Sequence, residues 1–164
     1  MPPNVITEDH IEQEALKFLE EEGYEVVYGP TLAPAPEGNG ERKSYKDVVL
    51  EDRLRRALHR INPDFPKEAL EEAVKKILRT ESQDLIANNQ NFHEMITDGV
   101  PVSYRENGEI RHKAVMLFDF ENQKNNEFLA INQFTIIEES YNRRPDVLLF
   151  GNGLPLVLFE LKNP

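Results

Sequence analysis

Asp146, Glu160 and Lys162 are residues whose types and spacing could do chemistry together. Two carboxylates that lean toward one point can share a metal cation, with the lysine ammonium one step further along. That work needs all three side chains on one surface. They lie within residues 143–164, where the apolar runs Val147-Leu148-Leu149-Phe150 and Leu156-Val157-Leu158-Phe159 flank Gly151-Asn152-Gly153. The runs are strand-length and the intervening residues tolerate positive φ, so the segment reads as a β-hairpin with a three-residue loop. If Phe150 faces Leu154, Asp146 lies opposite Leu158, and side-chain alternation puts Leu158, Glu160 and Lys162 on the face that Asp146 shares. A diagonal cross-strand separation of roughly 7 Å lets the two carboxylates lean toward one point.

Along the hairpin, both runs are apolar on both faces, which suits a buried interior pair of strands with charged ends. Carboxylates at the rim of a buried sheet repel one another unless a cation, hydrogen bonds or protonation relieves them. The competing reading makes Asp146 a cap on the preceding turn and Glu160 and Lys162 solvated strand-end charges. Spacing alone does not separate the two.

The elements that must position these residues can be read in chain order. Thr7 is an N-cap with Glu8 and Asp9 in the first turn, Ile11, Ala15, Phe18 and Leu19 recur at helical spacing, and Gly23 stops a helix over 8–22. Glu12 and Glu14 flank its apolar stripe. A short strand over 24–28 ends at Gly29-Pro30, and 31–44 reads as a mobile surface loop rich in proline and glycine. Helices follow over 50–61, ended by Asn62-Pro63, and from Pro66 through Leu78, forming a helical hairpin; a further helix over 82–98 stops at Gly99. Asn107-Gly108 marks a β-hairpin between 102–105 and 109–112, followed by a buried strand over 114–120, a polar turn over 121–126 and a long strand over 127–137. Asn132 and Gln133 interrupt that strand. An amide there could bridge to a neighbour's backbone or face a groove.

Length and composition narrow the classes. At 164 residues the chain suits a single domain. The absence of cysteine excludes disulfides and thiolate zinc sites and fits a reducing cytoplasm. The four histidines are scattered without zinc-ligand spacing, and no Walker-type phosphate loop or serine nucleophile motif occurs. No run is apolar enough to span a membrane, and the start lacks a secretory signal. A net charge of −11 argues against holding nucleic acid by overall field. Three basic clusters remain: Arg42, Lys43 and Lys46; Arg53, Arg55, Arg56, His59 and Arg60; and Arg143 with Arg144. Solvated faces account for such clusters in general, but the third adjoins Asp146.

The order Pro145-Asp146 followed by Glu160-Leu161-Lys162 resembles the Pro-Asp…Glu-x-Lys signature of restriction-endonuclease-like nucleases. The surrounding text is more specific. Gly23-Tyr24-Glu25 after an acidic helix, Leu50-Glu51-Asp52-Arg53-Leu54 and Ile61-Asn62-Pro63, Asn125-Asn126 and Phe128, Asn132-Gln133-Phe134, and the run from Arg144 through Lys162 are similar to the N-terminal region of the R (restriction) subunit of type I restriction-modification enzymes. The likeness extends over nearly the whole chain.

The resemblance implies an α/β (α+β) fold: a restriction-endonuclease-like PD-(D/E)xK core, with a mixed sheet flanked by helices and a helical elaboration over about 46–98. It implies Mg²⁺ bound by Asp146, Glu160 and the Leu161 carbonyl, with Lys162 assisting the attacking water. An acid from the first helix joins such sites, Glu12 before Glu14, and Arg143, Arg144 and Gln133 are candidate DNA contacts. Implied partners are double-stranded DNA and the methyltransferase and specificity subunits of the same system, in the cytoplasm. R subunits of this family are several times longer, continuing into a helix with a Gln-x-x-x-Tyr motif and an ATP-dependent motor. This chain is therefore expected to be a fragment with weak or no cleavage by itself. A non-catalytic DNA-docking or subunit-assembly module is the alternative, and another nuclease of the same fold, such as a repair nuclease, is a third.

Overall fold

The computed structural model describes residues 7–79 and 84–162. By contact density the chain divides into two compact units, one comprising residues 1–50 with 128–164 and the other 51–127. Asp146, Glu160 and Lys162 all belong to the first.

That unit begins with α1, Glu8–Glu21, whose N-cap Thr7 forms a capping box with His10 in place of the usual acidic residue. Its buried side chains are Leu16 and Leu19. The anticipated stripe is thus rotated, because Phe18 is 59% exposed. Gly23, at φ +98, ends the helix and feeds β1, Glu25–Tyr28. Strand β1 runs parallel to β4, Phe128–Asn132, so a crossover must join them. The connection contains the whole second unit. Strands β7, Val147–Gly151, and β8, Leu154–Phe159, complete a mixed sheet in the order β1-β4-β7-β8, with β7 antiparallel to both β4 and β8.

Both faces of this sheet are covered at β4 and β7. Leu16 and Leu19 of α1 pack with Ala130, Val147 and Leu149 on one face. Leu32, Leu50, Leu129, Ile131, Phe134, Leu148 and Phe150 form the core on the other. Alternation along β7 accounts for the division: residues of one parity meet the helix and those of the other meet the second core. Every residue of β7 is buried, as its apolar sequence suggests. Strand β8 departs from the same expectation. It is the sheet edge, and Leu156, Val157, Leu158 and Phe159 are 37–54% exposed.

Part of the surface loop expected over 31–44 is built into the core. A 3-10 turn, Gly29–Leu32, buries Leu32, and Ala33 and Arg42 are buried beyond it. The Arg42 guanidinium lies 3.9 Å from the Phe134 ring centroid and donates to the carbonyls of Asp47, Thr135 and Tyr45 at 2.9, 2.7 and 2.7 Å. Burial lowers its pKa from the ordinary arginine range, a pull that Asp47 opposes. This arginine closes a core rather than facing solvent.

The expected strand over 127–137 is broken. β4 stops at Asn132, Gln133 takes φ +54, and β5, Ile136–Glu138, forms a separate small hairpin with β6, Tyr141–Arg143. Strand β6 had no clear signal in the sequence, since Tyr141-Asn142-Arg143 lacks an apolar alternation.

In the second unit α2, Glu51–Ile61, and α3, Lys67–Ile77, pair as the anticipated helical hairpin, and Leu54, Leu58, Leu70 and Val74 are buried. Asn62 brackets Met116, donating to its carbonyl and accepting from its N–H, both at 2.8 Å. Residue Ser82, where the next helix is expected to start, lies outside the described residues. Helix α4, Leu85–Asp98, is capped by Asp84 and ends at Gly99, and none of its residues is buried. β2, Val100–Glu106, and β3, Glu109–Val115, form the Asn107-Gly108 hairpin, both turn residues having positive φ. The strand expected over 114–120 ends at Val115; Leu117 and Phe118 are buried in irregular chain. The helical elaboration thus shares its unit with a β-hairpin.

Candidate active site

Strands β7 and β8 meet in a tighter turn than the three-residue loop expected. Gly151 pairs directly with Leu154, leaving Asn152 and Gly153 as the turn at φ +51 and +83, the left-handed pair that suits a two-residue hairpin. A two-residue turn by itself would set Asp146 opposite Phe159 and put Glu160 on the other face. A register shift intervenes. Phe150 pairs with Pro155 and Leu149 with Val157, so Leu156 is an extra residue on β8, and the ladder continues through Leu148 with Leu158 to Val147 with Phe159. One step beyond that last pair stand Asp146 and Glu160. The single inserted residue restores the shared parity of the two acids by a route different from the expected register.

The Asp146 side chain is half-buried, and its Oδ2 accepts the Leu161 N–H at 2.6 Å. The contact crosses from the start of β7 to the end of β8, between Glu160 and Lys162. It takes the place of a ladder bond where pairing ends. The Asp146 carbonyl accepts the Gln133 N–H at 3.3 Å, which ties the same residue to the end of β4 on its other side. Glu160 and Lys162 are exposed. The two acids offer carboxylate oxygens, the chemistry Mg²⁺ prefers, and an ion that retains several waters needs only one or two protein carboxylates. Among the described residues no three Asp, Glu, His or Cys side chains stand close enough to hold a metal together. Glu12 is therefore not a third member of a cluster with Asp146 and Glu160.

Glu12 is occupied elsewhere. Its Oε1 accepts from Asn132 Nδ2 at 2.8 Å and its Oε2 from Gln133 Nε2 at 3.0 Å. Gln133, a candidate DNA contact by sequence, thus directs its amide to α1. Asn132, buried at the end of β4, is a member of this group that spacing did not single out. Its one signal was a polar amide in an otherwise apolar strand. Glu14, the second choice from the first helix, is exposed.

The basic clusters resolve differently from one another. Arg42 is buried, as described above. Arg53 pairs with Glu127 at 2.9 Å, and Arg55 lies between Glu51 and Glu71 at 2.9 and 3.2 Å, its pKa raised chiefly by the Glu51 hydrogen bond. Those two arginines serve α2 and its neighbours rather than a solvated face. Arg143, in β6, and Arg144 are exposed immediately before Pro145 and Asp146.

No helix among the described residues is long and apolar enough to cross a membrane. Residues 5–164 match the family described as Type I restriction enzyme R protein N terminus. The chain is 42% identical over 161 residues to the type I restriction enzyme HindI endonuclease subunit of Haemophilus influenzae, an alignment covering 98% of this chain and 15% of that protein. It is 37% identical over 163 residues to a Methanocaldococcus jannaschii protein provisionally named as the type I restriction enzyme MjaIXP endonuclease subunit, covering 97% of this chain and again 15% of the relative. The chain thus spans about 15% of the length of the curated relatives it matches.

Proposed function

The chain belongs to the family of type I restriction enzyme R protein N termini, and from that premise we propose that it carries the nuclease site of a type I restriction endonuclease subunit, hydrolysing DNA phosphodiester bonds. The observation that carries the reading is the junction of β7 and β8. Asp146 and Glu160 stand one step past the last ladder pair, and the Asp146 carboxylate holds the Leu161 N–H at 2.6 Å.

In this reading the Asp146 and Glu160 carboxylates and the Leu161 carbonyl hold Mg²⁺. When bound there, the ion neutralises charge on the scissile phosphate and makes water more acidic. Lys162 orients the attacking water or offsets charge developing on the phosphate. Arg143 and Arg144, exposed beside the site, meet phosphates flanking the scissile bond. The bond from Asp146 to the Leu161 N–H holds β7 and β8 together, so the two acids are prepositioned before substrate arrives. In the longer protein, cleavage follows ATP-driven translocation in company with methyltransferase and specificity subunits. A second reading, a DNA-docking or assembly module, draws on the exposed apolar residues of β8.

Glu160→Ala in the full-length subunit separates the two. The nuclease reading expects cleavage to be lost while ATP hydrolysis persists. Cleavage at the wild-type rate by a folded Glu160→Ala subunit would reject it.

A further inference from the structure

Neighbouring residues of a strand point to opposite faces, so one carboxylate cannot ordinarily receive both side chains. Glu12 nevertheless receives both Asn132 and Gln133, one on each oxygen. The reason is the backbone of Gln133, at φ +54, a left-handed conformation unfavourable for a residue with a Cβ. That turn brings consecutive amides to the α1 side. It also ends β4, and it aims the Gln133 N–H at the Asp146 carbonyl. A continuous run of contacts follows, from Glu12 through Gln133 to Asp146 and from the Asp146 carboxylate to the Leu161 N–H.

We propose that Glu12 is a positioning residue and not a metal ligand: its two-oxygen grip on Asn132 and Gln133 holds the left-handed turn that sets Asp146 against Glu160. This rests on the nuclease reading of the Asp146 and Glu160 site. Both Glu12 oxygens are engaged by neutral amide donors. An amide pair recognises a carboxylate by geometry, which suits a clamp. The strain at Gln133 is maintained because the surrounding contacts hold it, and removing the clamp lets the turn relax toward extended backbone.

The test uses Mn²⁺ as the probe, with free Mn²⁺ read by electron paramagnetic resonance over the intact chain. Glu12→Gln leaves one good acceptor and sets its own amide against the other donor. It should weaken Mn²⁺ binding about fivefold, the equivalent of a left-handed penalty at one non-glycine residue. Gln133→Ala should weaken it by a similar factor, and the double variant by no more than either single change, because both remove one device. Gln133→Gly adopts the turn without strain, so adding it to Glu12→Gln should restore most of the lost affinity. A metal ligand would behave otherwise: Gln133→Ala would bind normally, or the added Gln133→Gly change would rescue nothing, and either result overturns the proposal. Asp146→Ala is the control for the parent reading. If it binds Mn²⁺ as the wild type does, the Asp146 and Glu160 site itself fails, and the role of Glu12 fails with it.

Discussion

Replacing Asp146 by alanine should loosen the end of β8 before it loosens anything else. Its Oδ2 accepts the Leu161 N–H at 2.6 Å, beyond the last ladder pair, so this bond stands where backbone pairing stops. A hydrogen bond from a backbone N–H to a charged acceptor contributes about 1.5–3 kcal/mol, and Asp146 is half-buried, so about 2 kcal/mol is a reasonable local loss. That free energy corresponds to about a 30-fold change in an opening equilibrium. Asp146→Asn keeps an acceptor but removes the charge. Its loss is about 1 kcal/mol, or roughly fivefold. Amide hydrogen exchange followed residue by residue reads this directly, since the Leu161 N–H exchanges when the strand end opens. The expected ranking is wild type slowest, Asp146→Asn intermediate and Asp146→Ala fastest at Leu161, with Ala130 and Leu149 in the middle of the sheet unchanged. An unaltered Leu161 rate in Asp146→Ala would refute the tie between the two strands. Equal acceleration at Ala130 and Leu149 would show a loss of global stability instead.

Arg42→Met should destabilise the first unit by about 3 kcal/mol, measured by urea unfolding, because it leaves the Thr135 and Asp47 carbonyls without their guanidinium donor. Arg42→Lys should recover little of this, since a single ammonium cannot replace three directed donors. In the second unit, the Asp119 carboxyl accepts from the Asn122 and Glu121 N–H groups and the Asn125 amide, which hold its pKa below the ordinary 3.8, the Asn122 bond most of all. A carboxylate depressed in the folded state contributes stability above its unfolded pKa and loses it as pH falls through the folded value. The stability difference between wild type and Asp119→Asn should therefore be constant near neutrality and shrink below pH 3.8. A difference that grows on acidification would contradict the assignment.

Much of the local architecture is legible from residue types because its causes are local. Thr7 and Gly23 bound α1, Asn107-Gly108 turns β2 into β3, and Pro66 precedes α3, each through a dihedral preference or a cap confined to a few residues. That Asp146 and Glu160 share a parity at the end of the β7–β8 ladder was likewise visible, because strand alternation is arithmetic once a hairpin is recognised. The path to the shared face was not. A tighter turn shifted the pairing by one and the extra residue at Leu156 shifted it by one more, which restored the parity with Glu160 in place of Leu158 opposite Asp146, and bulge placement answers to packing along the whole strand. Burial of Arg42 was missed for a related reason: its partners are carbonyls, which sequence composition does not advertise.

By itself, the sequence determined which segments could become helices and hairpins, and which side chains carried charge at the end of a strand. Tertiary structure alone decided that β8 is an edge, that β4 breaks at Gln133, and that Glu12 meets Asn132 from 120 positions away. Local propensity acts through a few neighbouring dihedrals and is written in adjacent residues. A left-handed glutamine or an apolar edge strand becomes stable or exposed only through groups brought near by the rest of the fold.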